Sequence, residues 1–133
     1  MAVLDSRASG LPASTVRLST DQAGTGASTN VADRGVAHKG GIVRIAATAG
    51  ATPTCTYALE VSVDGTNFVA ATYADLSTPT VDTAATFALT TTTTVSKIIK
   101  QPNSWRYFRV TYSANTNVTN TVDFLFSDAK RLP

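Results

Sequence analysis

Between Thr54 and Val63 the chain alternates apolar and polar side chains, and this alternation constrains its fold more than any other feature. Cys55, Tyr57, Leu59, Val61 and Val63 are apolar, while Thr54, Thr56, Ala58, Glu60 and Ser62 between them are small or polar. Only an extended backbone places every second side chain on one face, so the stretch reads as a half-buried strand. Asp64-Gly65-Thr66-Asn67 follows at once. Glycine accepts positive φ without steric cost, which makes Asp-Gly a strong hairpin signal. Phe68-Val69-Ala70-Ala71-Thr72-Tyr73 is then the returning partner strand.

Other segments follow the same logic. Gly41-Ile42-Val43-Arg44-Ile45-Ala46-Ala47 is nearly continuous in its hydrophobicity and reads as a central strand covered on both faces. Residues 75–83, with Pro79 and Asp82, form a loop, and residues 84–89 a strand with Phe87 and Leu89 inward. Val95-Ser96-Lys97-Ile98-Ile99-Lys100 is a strand broken by Gln101-Pro102-Asn103-Ser104. Trp105-Arg106-Tyr107-Phe108-Arg109-Val110-Thr111-Tyr112 is aromatic-rich and marks the centre of the core. Residues 113–117 read as a turn before a last strand that puts Val122, Phe124 and Phe126 on one face. About six to eight strands spaced by about ten residues predict an all-β fold, an antiparallel β-sandwich or jelly-roll-like barrel.

Composition supports strands over helices. Charged residues make up only 15% of the chain, against about 25% in a typical soluble domain. Threonine, serine and alanine replace them, and Glu60 is the sole glutamate. Threonine suits a pleated, half-buried surface. Residues 1–39 stand apart: they are rich in Ser, Thr, Gly, Ala and Asp, and no large aromatic precedes Tyr57. Such a segment buries too little apolar surface by itself to offset its ordering entropy. The expected organisation is an extended, flexible N-terminal arm over residues 1–39 and a β-sandwich over residues 40–133.

The residues that carry chemistry are few. His38 is the only histidine and Cys55 the only cysteine. One of each cannot build a structural zinc site or an intramolecular disulfide. His38 reads as a surface loop residue, and Cys55 as a buried thiol on the apolar face of its strand. Gly24-Thr25-Gly26 lacks the Lys-Ser/Thr continuation of a phosphate loop. Asp64, Asp75 and Asp82 stand where turns favour aspartate. Tyr57, Trp105, Tyr107 and Tyr112 read as core residues, with an exposed stacking platform as the alternative. A net charge of +2 from scattered basic residues argues against electrostatic nucleic-acid binding. The opening Met-Ala-Val-Leu-Asp does not resemble a signal peptide, and no apolar run reaches the roughly 20 residues of a membrane helix. The expectation is a non-enzymatic protein without cofactor, metal or small-molecule substrate, made in the cytoplasm.

Leu59-Glu60-Val61-Ser62-Val63-Asp64-Gly65-Thr66-Asn67-Phe68, followed by Trp105-Arg106-Tyr107-Phe108-Arg109-Val110-Thr111-Tyr112, resembles the small β-sandwich virion proteins of tailed bacteriophages. Those proteins pair a "strand, Asp-Gly-Thr, aromatic" hairpin with a late "Trp-x-Tyr-x-Arg-Val" strand. The resemblance spans residues 57–126, and its motifs are structural. With a polar arm ahead of the domain, the chain is most similar to capsid decoration (cement) proteins. The resemblance implies a homo-oligomer, trimer or dimer, on the outer capsid surface, stabilising contacts between major capsid proteins. Its arm would add backbone hydrogen bonds to capsid edges, and many weak copies would act through avidity. Val16, Arg17 and Leu18, where the arm has both apolar and charged groups, are the expected partner contacts. A phage tail, adaptor or fibre subunit, or a carbohydrate-binding module, would share the same sandwich.

Overall fold

The computed structural model describes residues 2–4, 15–35, 40–75, 86–99 and 105–127. Among them are ten strands and no helix: β1 (Ala2–Leu4), β2 (Thr15–Gln22), β3 (Gly26–Ala27), β4 (Asn30–Asp33), β5 (Gly40–Ser62), β6 (Val69–Ala70), β7 (Tyr73–Asp75), β8 (Thr86–Leu89), β9 (Thr93–Ile99) and β10 (Tyr107–Ser127). All belong to one sheet, antiparallel except where β1 runs parallel to β4.

The organising unit is the ribbon of β5 and β10, paired from Gly40↔Ser127 to Ser62↔Tyr107. The ribbon is not straight. The rings of Phe108 and Phe124, both on β10, stack with centroids 4.7 Å apart. Sixteen residues of straight strand would separate them by about 50 Å, so β10 doubles back on itself. Residues 50–53 drop out of register with β10 at this corner, and the pairing slips between Ser113 and Val118. Thr52, Ala114 and Asn117 take positive φ there. The Asn117 side-chain amide donates to the Ala51 carbonyl at 2.6 Å, and Asn115 donates to the carbonyls of Gly24 and Val118. Pro53 sits where the ladder is already interrupted, so its missing N–H costs no pairing.

Folding the ribbon double gives a sandwich. One layer carries β2, the 118–127 half of β10, the 40–49 half of β5, β9 and β7. The other carries β4 and β3, the 107–113 half of β10, the 54–62 half of β5, and β8 and β6. The same face of the ribbon points inward in both halves. Val43, Ile45, Ala47, Cys55, Tyr57, Leu59 and Val61 are buried along β5, and Phe108, Val110, Tyr112, Val118, Val122 and Phe124 along β10. Between the layers, Tyr73 meets Phe87 and Trp105 meets Phe124, while Tyr57 and Tyr112 meet edge-on as cross-strand partners within one layer.

Several expectations change at this level. Residues 15–35 are not an arm: β2, β3 and β4 complete the sheet along β10, and Val16 and Leu18 are fully buried. The entropy argument treated the segment in isolation, whereas β10 offers it an edge. Each buried side chain then contributes about 1.5–3 kcal/mol. The boundary expected at residue 39 therefore falls inside the domain. The two strands expected on either side of residues 48–53 are one 23-residue strand, and those flanking 113–117 are one 21-residue strand. The strand at 41–47 is central, between β10 and β9, but only Val43, Ile45 and Ala47 face the core while Arg44 is exposed. The partner strand after the hairpin pairs with β5 through Val69 and Ala70, adds one backbone hydrogen bond from Ala71 to Leu59, then crosses to the other layer as β7.

Candidate functional site

Most arginines and lysines on the described surface are engaged by carboxylates. Asp123, nearly buried, accepts from Arg17 and Arg44 on the strands either side of it. Arg109 pairs with Glu60 at 2.8 Å, and Lys97 pairs with Asp75 while lying over the rings of Tyr73 and Phe87. Arg106 makes a two-pronged contact with Asp33 at 2.8 and 2.9 Å. Such a surface presents no basic stripe among the described residues.

Two buried polar links join the layers. The Tyr57 hydroxyl donates to Asn120 Oδ1 at 2.6 Å, and the Tyr112 hydroxyl lies 2.8 Å from Ser19 Oγ, which donates to Gln22. Burial raises the pKa of both tyrosines far above the ordinary phenol value. It also raises the Cys55 thiol, so this cysteine stays protonated and unreactive. Among the described residues no three His, Cys, Asp or Glu side chains come together as metal ligands. His38 lies outside the described residues.

Two depressions stand out among the described residues. One, about 630 Å³, is an open saddle at the folded corner, bordered by Gly24, residues 48–51 and residues 117–119, with no ionisable side chain in its lining. The other, about 270 Å³, lies at the tip of the β5–β6 hairpin. Val61 and Trp105 line it from the buried side, and Val63 and Val69 from the exposed side. Val63 and Val69 are 70% and 60% exposed and are the exposed large hydrophobics among the described residues. Sequence alternation puts Val63 on the core face, but β5 ends at Ser62 and the turn carries Val63 outward.

The tip is held from within. Asp64 Oδ1 accepts from the backbone N–H groups of Thr66 and Asn67, both at 2.9 Å, and from Ser62 Oγ, while Oδ2 accepts from the Asn67 amide at 2.8 Å. These donors, led by the Asn67 backbone, hold the Asp64 carboxyl well below the usual carboxylate range. Gly65 takes φ +80°, and a Cβ there would press on the Tyr107 ring at 3.3 Å. Beneath the tip, the Trp105 ring lies under the Arg34 guanidinium at 4.0 Å, and the Trp105 carbonyl accepts from Arg34 Nε at 3.0 Å. Trp105 Nε1 is buried and has no hydrogen-bond partner among the described residues.

Of the expected contact residues, only Arg17 reaches solvent, and it is engaged by Asp123; the side chains of Val16 and Leu18 lie in the core. Tyr57, Trp105 and Tyr112 are likewise buried, so they form no exposed stacking platform. The signal for the tip was the hairpin itself: its loop ends the alternation and leaves Val63 without a core to face. The chain matches no family model, no curated protein and no solved structure.

Proposed function

We propose that the chain is a non-enzymatic structural protein of a tailed-phage particle, attached to the outer capsid and stabilising contacts between major capsid proteins. The observation that carries this reading is the exposed apolar pair Val63 and Val69 on a tip braced by its own hydrogen bonds. Hydrophobic side chains held out to water on a rigid hairpin serve association, and a preorganised tip loses little entropy when it docks. The paired surface charges suit the same role, because a near-neutral face approaches a repeating lattice without long-range repulsion. Resemblance in residues 59–68 and 105–112 supplies the phage context. In this reading the tip replaces Val16 and Leu18 as the contact, and a homo-oligomer would multiply it through avidity.

The experiment is sedimentation of the purified protein alone and with capsids of the phage that encodes it. A small oligomer that co-sediments with capsids at a fixed stoichiometry is the expected result. A monomer that stays in the supernatant overturns the capsid role, and co-sedimentation with isolated tails would move the protein to the tail.

A further inference from the structure

We propose that the groove at the hairpin tip takes an extended segment of a partner protein in which a lysine or arginine stands beside an aliphatic residue. This rests on the assembly reading above and names the chemistry of the partner at that surface.

Size gives the first argument. At about 270 Å³ the groove lies below the roughly 300–1,000 Å³ that drug-sized ligands and cofactors fill. Its apolar walls, Val61, Val63, Val69 and Trp105, suit one or two aliphatic side chains.

Charge gives the second. Asp64 is the one ionisable residue in the lining. Its oxygens are bonded by neutral donors, so its negative charge is not neutralised by them. Of the neighbouring cations, Arg106 is paired with Asp33 and Arg109 with Glu60, while Arg34 is buried over the Trp105 ring. Asp64 is thus the exposed charge at the edge of the groove, and it favours a cationic neighbour for the aliphatic group. A second copy meeting this tip symmetrically would bring Asp64 against Asp64.

Trp105 also bears on the occupant: its Nε1 is buried and has no partner among the described residues, so the indole marks the inner wall of the groove and is not open to a ligand. Glycans are disfavoured by the same residue, because Trp105 is 4% exposed and one ring face lies under Arg34.

Trp105 is the only tryptophan, so the full chain has one indole N–H resonance by which to follow the groove. The probe is a capped peptide, acetyl-Thr-Lys-Leu-Lys-Val-Thr-amide, against its counterpart with both lysines replaced by glutamate. A saturable indole shift with the lysine peptide, and a response at least about tenfold weaker with the glutamate peptide at low salt, is expected. Val63→Glu and Val63→Lys alter a side chain that is 70% exposed, so both variants retain the fold. The glutamate variant should bind the lysine peptide roughly two- to fivefold more tightly than the lysine variant, a gap that closes with added salt. No indole response at millimolar peptide, an equal response to both peptides, or a shift that depends only on protein concentration would overturn the proposal. Capsid co-sedimentation with no peptide response removes the groove and leaves the capsid role; peptide binding without co-sedimentation does the reverse.

Discussion

Gly41 and Thr52 both lie on β5, yet the fold asks opposite things of them. A Cβ at Gly41 would stand 2.2 Å from Cζ of Phe124 and 2.9 Å from the Leu125 carbonyl oxygen. Phe124 is fully buried and stacked on Phe108, so it has nowhere to retreat. Gly41→Ala is expected to destabilise the protein by about 1–3 kcal/mol, read from the urea midpoint. Thr52, by contrast, is an exposed β-branched residue at φ +43°, where its Cβ crowds the backbone. Thr52→Gly should raise stability by about 0.5–1 kcal/mol in the same measurement, since relief of the strain outweighs the entropy glycine adds to the unfolded chain. A loss of stability would mean that the Thr52 side chain is held by a contact that offsets its backbone.

Elements are joined across the sandwich by two polar links, Tyr57 to Asn120 and Tyr112 to Ser19, and these give the fold a pH limit. Both tyrosines have pKa values raised by burial, so folding favours the neutral phenol. Their contribution is complete below the unfolded tyrosine value of about 10 and is lost as pH rises above it. Urea midpoints measured between pH 8 and 11.5 should fall on the alkaline side, and Tyr112→Phe should flatten that fall. The two tyrosines should differ at neutral pH. Without the Tyr112 hydroxyl, Ser19 still bonds Gln22, so Tyr112→Phe should cost about 1 kcal/mol. Without the Tyr57 hydroxyl, the buried Asn120 Oδ1 loses its donor, so Tyr57→Phe should cost about 1–3 kcal/mol. Equal costs would contradict this account of the network.

For the whole molecule, stability and association are separable because they use different apolar surfaces. The core lies between the layers, while Val63 and Val69 stand outside it at the tip. Val63→Asp with Val69→Asp should leave the urea midpoint within about 0.5 kcal/mol of the parent. The same pair should abolish co-sedimentation with capsids. Unfolding of the double variant would place these valines in the core after all, and unchanged co-sedimentation would move the contact elsewhere.

The sequence by itself determined which face of the alternating segments points inward. Alternation at 54–61 and 122–126 and the Asp64-Gly65 hairpin depend on side-chain period and backbone sterics, and these are local properties. Tyr57, Leu59, Phe124 and the turn accordingly lie where the pattern puts them. Tertiary structure decided which strands were continuous, because a break in alternation looks the same whether the chain leaves the sheet or bends within it. At residues 48–53 and 113–117 the ladder resumes beyond the break, and only the stacking of Phe108 on Phe124 reveals a folded ribbon. It also decided the fate of residues 15–35. Their short apolar runs are too weak to order alone, but the open edge of β10 gives Val16 and Leu18 a core to enter. The candidate site was half legible for the same reason: the hairpin is local, whereas the exposure of Val63 and Val69 beside Trp105 depends on where β5 ends and on a segment far along the chain, just ahead of β10.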